Sequence, residues 1–211
     1  MSPAVPAAAA AGEDRRERNK QQIRARIYAA AVDLFAEKGY DATTIDEIAE
    51  RADVARGTFF NHFPRKDDLI TEWAQDRRRR MLAELELPLS IESSDTSGLL
   101  HLCMATLAQV NEVHRSVTET MLAAWVKAGR PLTEEPYTAE VFARIVEVGM
   151  QRGEANPRLD PKLVGHLLRD VYVGALYRWA REPGPSGQLA YELRDVLEIL
   201  LLGIAPRVEG K

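Results

Sequence analysis

A chain of 211 residues, 45% of them apolar, can build a sizeable core, as one large domain or as a small domain joined to a larger one. Its formal net charge of −4 excludes nucleic-acid binding through bulk charge alone, and its single cysteine, Cys103, excludes an internal disulfide. No apolar run approaches the ~20 residues of a membrane-spanning helix, so a cytoplasmic protein is expected.

Most apolar residues recur at helical spacing and few segments alternate as strands do, which implies an all-α fold of about nine helices. The opening SPAVPAAAAAG has two prolines and little side chain to bury, so residues 1–18 read as a disordered tail. Arg15, Arg16, Arg18, Lys20, Arg24 and Arg26, against Glu17 alone, form a basic arm. Such an arm suits a phosphate track or the solvated start of a helix.

The first helix is expected from Gln21 to Lys38, with Ile23, Ile27, Ala30, Ala31, Leu34 and Phe35 on one stripe and Gly39 ending it. Thr44 to Glu47 spells a capping box, which opens a short helix burying Ile45, Ile48, Ala49 and Ala52. After the turn Asp53-Val54-Ala55, a third helix runs from Arg56 to Phe63 and stops before Pro64. Phe59 and Phe63, four apart, face the core; Arg56, Thr58, Phe60, Asn61 and His62 lie on or near the other side. Gly57 lets another backbone or ligand come close. Two short helices across a three-residue turn, braced by a longer one in front, make a helix-turn-helix pattern. The chain thus divides into the tail, a helix-turn-helix domain over 19–66 and a larger helical domain over 67–211.

A fourth helix is expected from Lys66 to Leu85, with Asp67 and Asp68 in its first turn. Arg77 to Arg80 cover every face of it, so they read as solvated or acid-paired. Pro88 to Gly98 reads as a polar break, with Ser97 as a cap. Further helices are expected at Leu99–His114, Val117–Ala128 and Ala139–Arg152. Another runs from Asp160-Pro161, a capping acid and a proline at the first helical position, to Arg181, and the last spans Leu189–Ile204. The last two are apolar on more than one face: Val164, Leu168, Val171, Tyr172, Ala175 and Trp179, then Leu193, Val196, Leu197, Leu200, Leu201 and Ile204. Such helices suit a large core or a partner subunit.

Residues 27–69, IYAAAVDLFAEKGYDATTIDEIAERADVARGTFFNHFPRKDDL, resemble the DNA-binding domain of the tetracycline-repressor (TetR) family. The shared marks are A-x-x-L-F-x-x-x-G-Y, T-T-x-x-x-I-A, G-T-x-F-x-H-F and K-x-x-L. The resemblance implies a homodimer paired through its last two helices, two DNA-binding heads on a palindromic operator, and repression relieved by a small ligand. It places the third helix in the major groove, where Arg56 and the 57–60 face, with Gly57, Thr58 and Phe60, meet base edges, and Asn61 belongs to the same DNA-binding set. Thr44, Thr58, His62 and Lys66 match phosphate-holding positions. Three residues depart from the pattern. Asp53 stands where glycine is usual, Ala55 where a Ser or Thr often caps the recognition helix, and Phe60 where tyrosine is usual.

The regulatory half carries Met104, Leu107, Met121, Trp125, Phe142, Val146, Tyr172 and Leu176, residues suited to lining a pocket for an apolar ligand or to plain core packing. Phosphate-loop, nucleophile-elbow and zinc-helix motifs are absent from the sequence, and His101, Cys103 and His114 fall at no familiar ligand spacing, so neither an enzyme nor a metal or cofactor is expected. A ligand-independent architectural or cell-cycle DNA binder on the same scaffold is the alternative.

Overall fold

The computed structural model describes residues 7–90, 95–133, 137–182 and 184–202, with side chains from residue 15 onward except those of 85–90. Among these, ten helices run in the order α1 Ala7–Lys38, α2 Ile45–Arg51, α3 Arg56–His62, α4 Asp68–Ser90, α5 Thr96–Glu112, α6 Arg115–Lys127, α7 Arg130–Thr133, α8 Tyr137–Gln151, α9 Pro161–Arg181 and α10 Gln188–Leu202. The tenth, beyond the nine expected, is the single turn α7. Residues 1–6, residues 91–94 of the expected polar break, and Ile204 lie outside the described residues.

Three expectations at the helix ends are corrected. The tail was expected to be disordered, yet it is helical from Ala7, and α1 spans 32 residues. The alanine run that offers no surface to bury also has the highest helix propensity, so a helix nucleated further along extends back through it. Likewise α4 passes through Pro88 to Ser90. Pro88 lacks the N–H that would bond the carbonyl four residues back, and only two helical residues follow it. At the start of α5 the cap is Asp95, not Ser97: the Asp95 carboxylate accepts from the Gly98 amide at 2.7 Å.

The chain forms two compact units. The first comprises Met1–Trp73 with Thr120–Ala128; the second comprises Ala74–Glu119 with Gly129–Lys211. Both α4 and α6 therefore contribute to each unit, a division that the boundary drawn at residue 66 does not follow.

In the first unit α1 packs on α2 and α2 on α3. Ile27, Ala31, Phe35, Ile48, Phe59, Phe63, Leu69 and Ile70 are essentially inaccessible to solvent. Arg51 of α2 grips Glu37 of α1 through two nitrogens, at 2.6 and 2.9 Å.

In the second unit α8 lies along α9, α10 packs on α5 and α9, and α5 on α8. Gly165 permits the α8–α9 approach: a Cβ there would stand 2.3 Å from the Ala139 carbonyl oxygen. The α5–α6 corner closes the ends of the last two helices. The Glu112 carboxylate accepts from the Leu189 amide at 2.8 Å, and Arg115 donates to the carbonyls of Trp179, Glu182 and Gly184 while stacking on the Trp179 ring. Arg77, expected among solvated arginines, is 8% exposed and donates to the Val110 carbonyl and the Thr118 hydroxyl. One residue of a four-arginine run must face inward, and this one does so with polar groups waiting. Arg79 and Arg80 pair with Asp76.

Candidate nucleic-acid interface

The capping box forms as the sequence spells it. The Glu47 amide donates to the Thr44 hydroxyl at 3.3 Å, and the Thr44 amide donates to the Glu47 carboxylate at 2.8 Å. Lys38, then the Thr44 amide and hydroxyl, lower the pKa of this carboxyl to about 2. Thr44 itself is exposed at the start of α2.

The turn into α3 is held in the left-handed region by Asp53, at φ 52°, the one described non-glycine residue with positive φ. An L-residue pays for this conformation, though aspartate less than most. Arg26 of α1 reaches over to donate to the carbonyls of Ala52 and Asp53, so it clamps the strained turn. The Ala55 backbone sits in the extended cap conformation with no side-chain hydrogen bond. Ala55→Ser should therefore supply the missing cap and stabilise the protein by about 0.5–1 kcal/mol, read as a higher urea midpoint at unchanged slope.

Phe59 and Phe63 are fully buried, with ring centroids 6.0 Å apart. Turned outward are Arg56, Gly57, Phe60 and Asn61, all exposed, with Thr58 and His62 half-buried. A Cβ on Gly57 would meet no atom within 4 Å, so nothing inside the protein requires glycine there. The space above α3 is open to a large partner.

Arg56 is ion-paired with Asp46 of α2 and lies 5.6 Å from the Phe60 ring centre. Both partners are solvent-exposed, so the pair is weak and the guanidinium can be exchanged to another acceptor. Asp46 holds the arginine in a limited set of rotamers meanwhile. Ten residues separate the two, a spacing that carries no sequence signal.

Arg24 is a second residue whose role the sequence hides. Its Nε and Nη2 bind the Glu72 carboxylate at 3.1 and 2.7 Å, Nη1 donates to the His62 carbonyl at 2.6 Å, and its guanidinium lies 4.2 Å over the Phe63 ring. One side chain thus joins α1, the end of α3 and α4. Of the basic arm, Arg24 and Arg26 are engaged inside the protein. Burial, then the nearby charges of Arg24 and Lys20, lower the pKa of His62, leaving the ring neutral at pH 7.

Lys66 is half-buried. It donates to the carbonyls of Tyr40 and Thr43 and lies 4.2 Å from the Tyr40 ring centre. Two of its three N–H bonds are therefore taken within the first unit. Burial lowers its pKa.

This arrangement is a short rod pinned by two phenyl rings, with cations, an amide and an open glycine on its outer flank. A family model described as "Bacterial regulatory proteins, tetR family" matches residues 27–72, the same stretch. Residues 27–72 are a TetR-family domain. The protein is a DNA-binding transcriptional regulator. The HTH-type transcriptional repressor KstR2 of Mycolicibacterium smegmatis is 26% identical over 181 residues, covering 82% of this chain and 86% of that protein. KstR of Rhodococcus jostii is 26% identical over 197 residues, covering 92% and 91%. The crystal structure of Thermus thermophilus FadR, a TetR-family repressor in complex with lauroyl-CoA, superposes with a TM-score of 0.73 at 27% identity over 89% of this chain and 98% of that one.

The eight residues expected to line a pocket are distributed over both units. Met121 and Trp125 belong to the first, and Met104, Leu107, Phe142, Val146, Tyr172 and Leu176 to the second. All are buried except Trp125, which is half-buried. The groove between α8 and α9, of about 590 Å³, is instead lined by Ala139, Glu140, Ala143, Arg144, Glu147, Lys162 and His166.

Proposed function

We propose that the protein is a cytoplasmic, homodimeric repressor that grips a palindromic operator through α3 and is released by a small, largely apolar ligand. The observation that carries this reading is the sidedness of α3: two phenylalanines wholly inside and Arg56, Gly57, Phe60 and Asn61 outside. Arg56 reads guanine through paired hydrogen bonds, while Thr44, Thr58, His62 and Lys66 fix the register on phosphates. Pairing through α9 and α10 is supported by their outward apolar residues. Leu163 is 68% exposed and Leu202 57%, with Leu167 and Ile199 near half. A surface of this kind on helices already packed on one side suits a self-complementary interface.

A ligand-responsive second unit is supported by its buried polar groups. Asn111 is wholly buried among apolar neighbours and donates to the Tyr172 hydroxyl at 3.1 Å, and its carboxamide oxygen accepts no hydrogen bond among the described residues. Tyr172 and Asn111 are thus polar anchors inside an apolar interior. The likeness to FadR makes a long-chain acyl-CoA thioester the first class to test.

Fluorescence anisotropy on duplexes from the DNA upstream of the protein's own gene tests both halves. The parent should bind a palindromic site as a dimer. Arg56→Ala should reduce discrimination against base changes by about 1–3 kcal/mol while leaving scrambled DNA unaffected. Lauroyl-CoA should release the operator complex, through differential affinity for a state whose heads no longer match the groove spacing. A monomeric protein indifferent to every duplex would reject the reading; tight operator binding untouched by acyl-CoA or any apolar compound would leave a ligand-independent DNA binder.

A further inference from the structure

The helical extension of α1 reaches well beyond its packed part. Ile27 is the first fully buried residue, and 15–22 are all exposed. Within this extension Arg16, Lys20 and Arg24 follow one another at intervals of four, so they share one face over successive turns, each about 6 Å along the axis from the next. The last of the three is fixed: Arg24 binds the carbonyl of His62, the final residue of α3. The stripe is therefore anchored at the end of the recognition helix and continues away from it. Among the described residues neither Arg16 nor Lys20 makes a hydrogen bond or an ion pair. Like charges one turn apart oppose helix formation, so within the protein the pair is a cost with no local return. Burial is the main cause of the depressed pKa of His62, and the charges of Arg24 and Lys20, both on the stripe, add to it.

We infer that Arg16 and Lys20 form a rigid rail that binds the DNA backbone beyond the bases read by α3, extending the recognition surface from the C-terminal end of that helix. The inference rests on the DNA-binding reading of α3 and adds contacts to it. A duplex offers a phosphate charge on each strand at every base pair, so two successive cations on a stiff helix can each neutralise one. Such contacts hold position without reading sequence. Because the rail is helical from Ala7 onward, no segment has to be ordered when DNA binds, and the entropic cost of docking a loose tail is avoided.

The test is the salt dependence of binding by the full chain, on the operator duplex and on scrambled DNA of equal length. Both residues are exposed, so R16Q/K20Q should melt like the parent. Its log–log salt slope should be shallower by roughly 2 on both DNAs, one for each lost phosphate contact. The charge-conserving R16K/K20R should keep the parental slope. An unchanged slope for R16Q/K20Q would overturn the rail, as would a loss confined to the operator. Failure of the parent to bind any duplex would instead overturn the reading of α3, which keeps the two failures apart.

Discussion

Phe63→Ala should unfold the DNA-binding head and abolish operator binding. The side chain is wholly inaccessible, packs against Phe59, and is the platform over which the Arg24 guanidinium lies at 4.2 Å. Removing a buried phenyl ring costs about 3–5 kcal/mol through lost transfer energy and the cavity left behind. A whole domain is stable by only about 5–15 kcal/mol, so little margin remains for a head of this size. The change has a second effect. Arg24 would lose its ring while remaining tied to Glu72 and the His62 carbonyl, loosening the joint that sets where α3 ends. Urea unfolding followed by circular dichroism should show part of the helical signal melting early, with the α5, α8, α9 and α10 core still cooperative. A destabilisation below about 1 kcal/mol would contradict the anchoring role, since it would mean that the ring is replaceable at an ordinary surface cost.

Gly165→Val should separate α8 from α9. The added Cβ would lie 2.3 Å from the Ala139 carbonyl oxygen and 2.9 Å from the Ala143 nitrogen, both backbone atoms that no rotamer change can move aside. Overpacking of this kind costs about 1–3 kcal/mol, and more where the obstacle is a helix backbone. Because α9 also carries Leu163 and Leu167 on its outer side, displacing it should disturb self-association as well as stability. Sedimentation should show a weaker dimer and calorimetry a lower melting temperature for the second unit, while the first unit melts near its parental temperature. Unchanged association together with normal stability would mean that α9 tolerates a tilt and that its outer leucines do not build the interface.

Much of the head was legible in the sequence because its determinants are local. A hydroxyl three residues before a carboxylate closes a capping box whatever surrounds it, and Thr44 and Glu47 do so. Two phenylalanines four apart must share a helix face, and Phe59 and Phe63 are both buried. The Asp53 turn takes the left-handed conformation that its place between two helices demands, and Asp160-Pro161 starts α9 where a capping acid and a proline imply.

Sequence and structure part where local signals point two ways. The alanine tract before α1 reads as a tail by its lack of buried surface and as a helix by its propensity, and propensity prevailed once a long helix stood behind it. Four consecutive arginines read as solvent-facing as a group, yet helical geometry turns Arg77 inward.

By itself the sequence determined the helical character, the helix-turn-helix order and the residues of α3 that face outward, since each follows from spacing along one helix or one turn. Tertiary structure alone decided that Asp46 holds Arg56, that Arg24 joins α1 to α3 and α4, that two of the Lys66 protons bind carbonyls, and that Gly165 admits α8. Those contacts link residues 10 to 48 positions apart in the chain. Long flexible side chains such as arginine and lysine can reach many partners, and only the packed backbone selects among them.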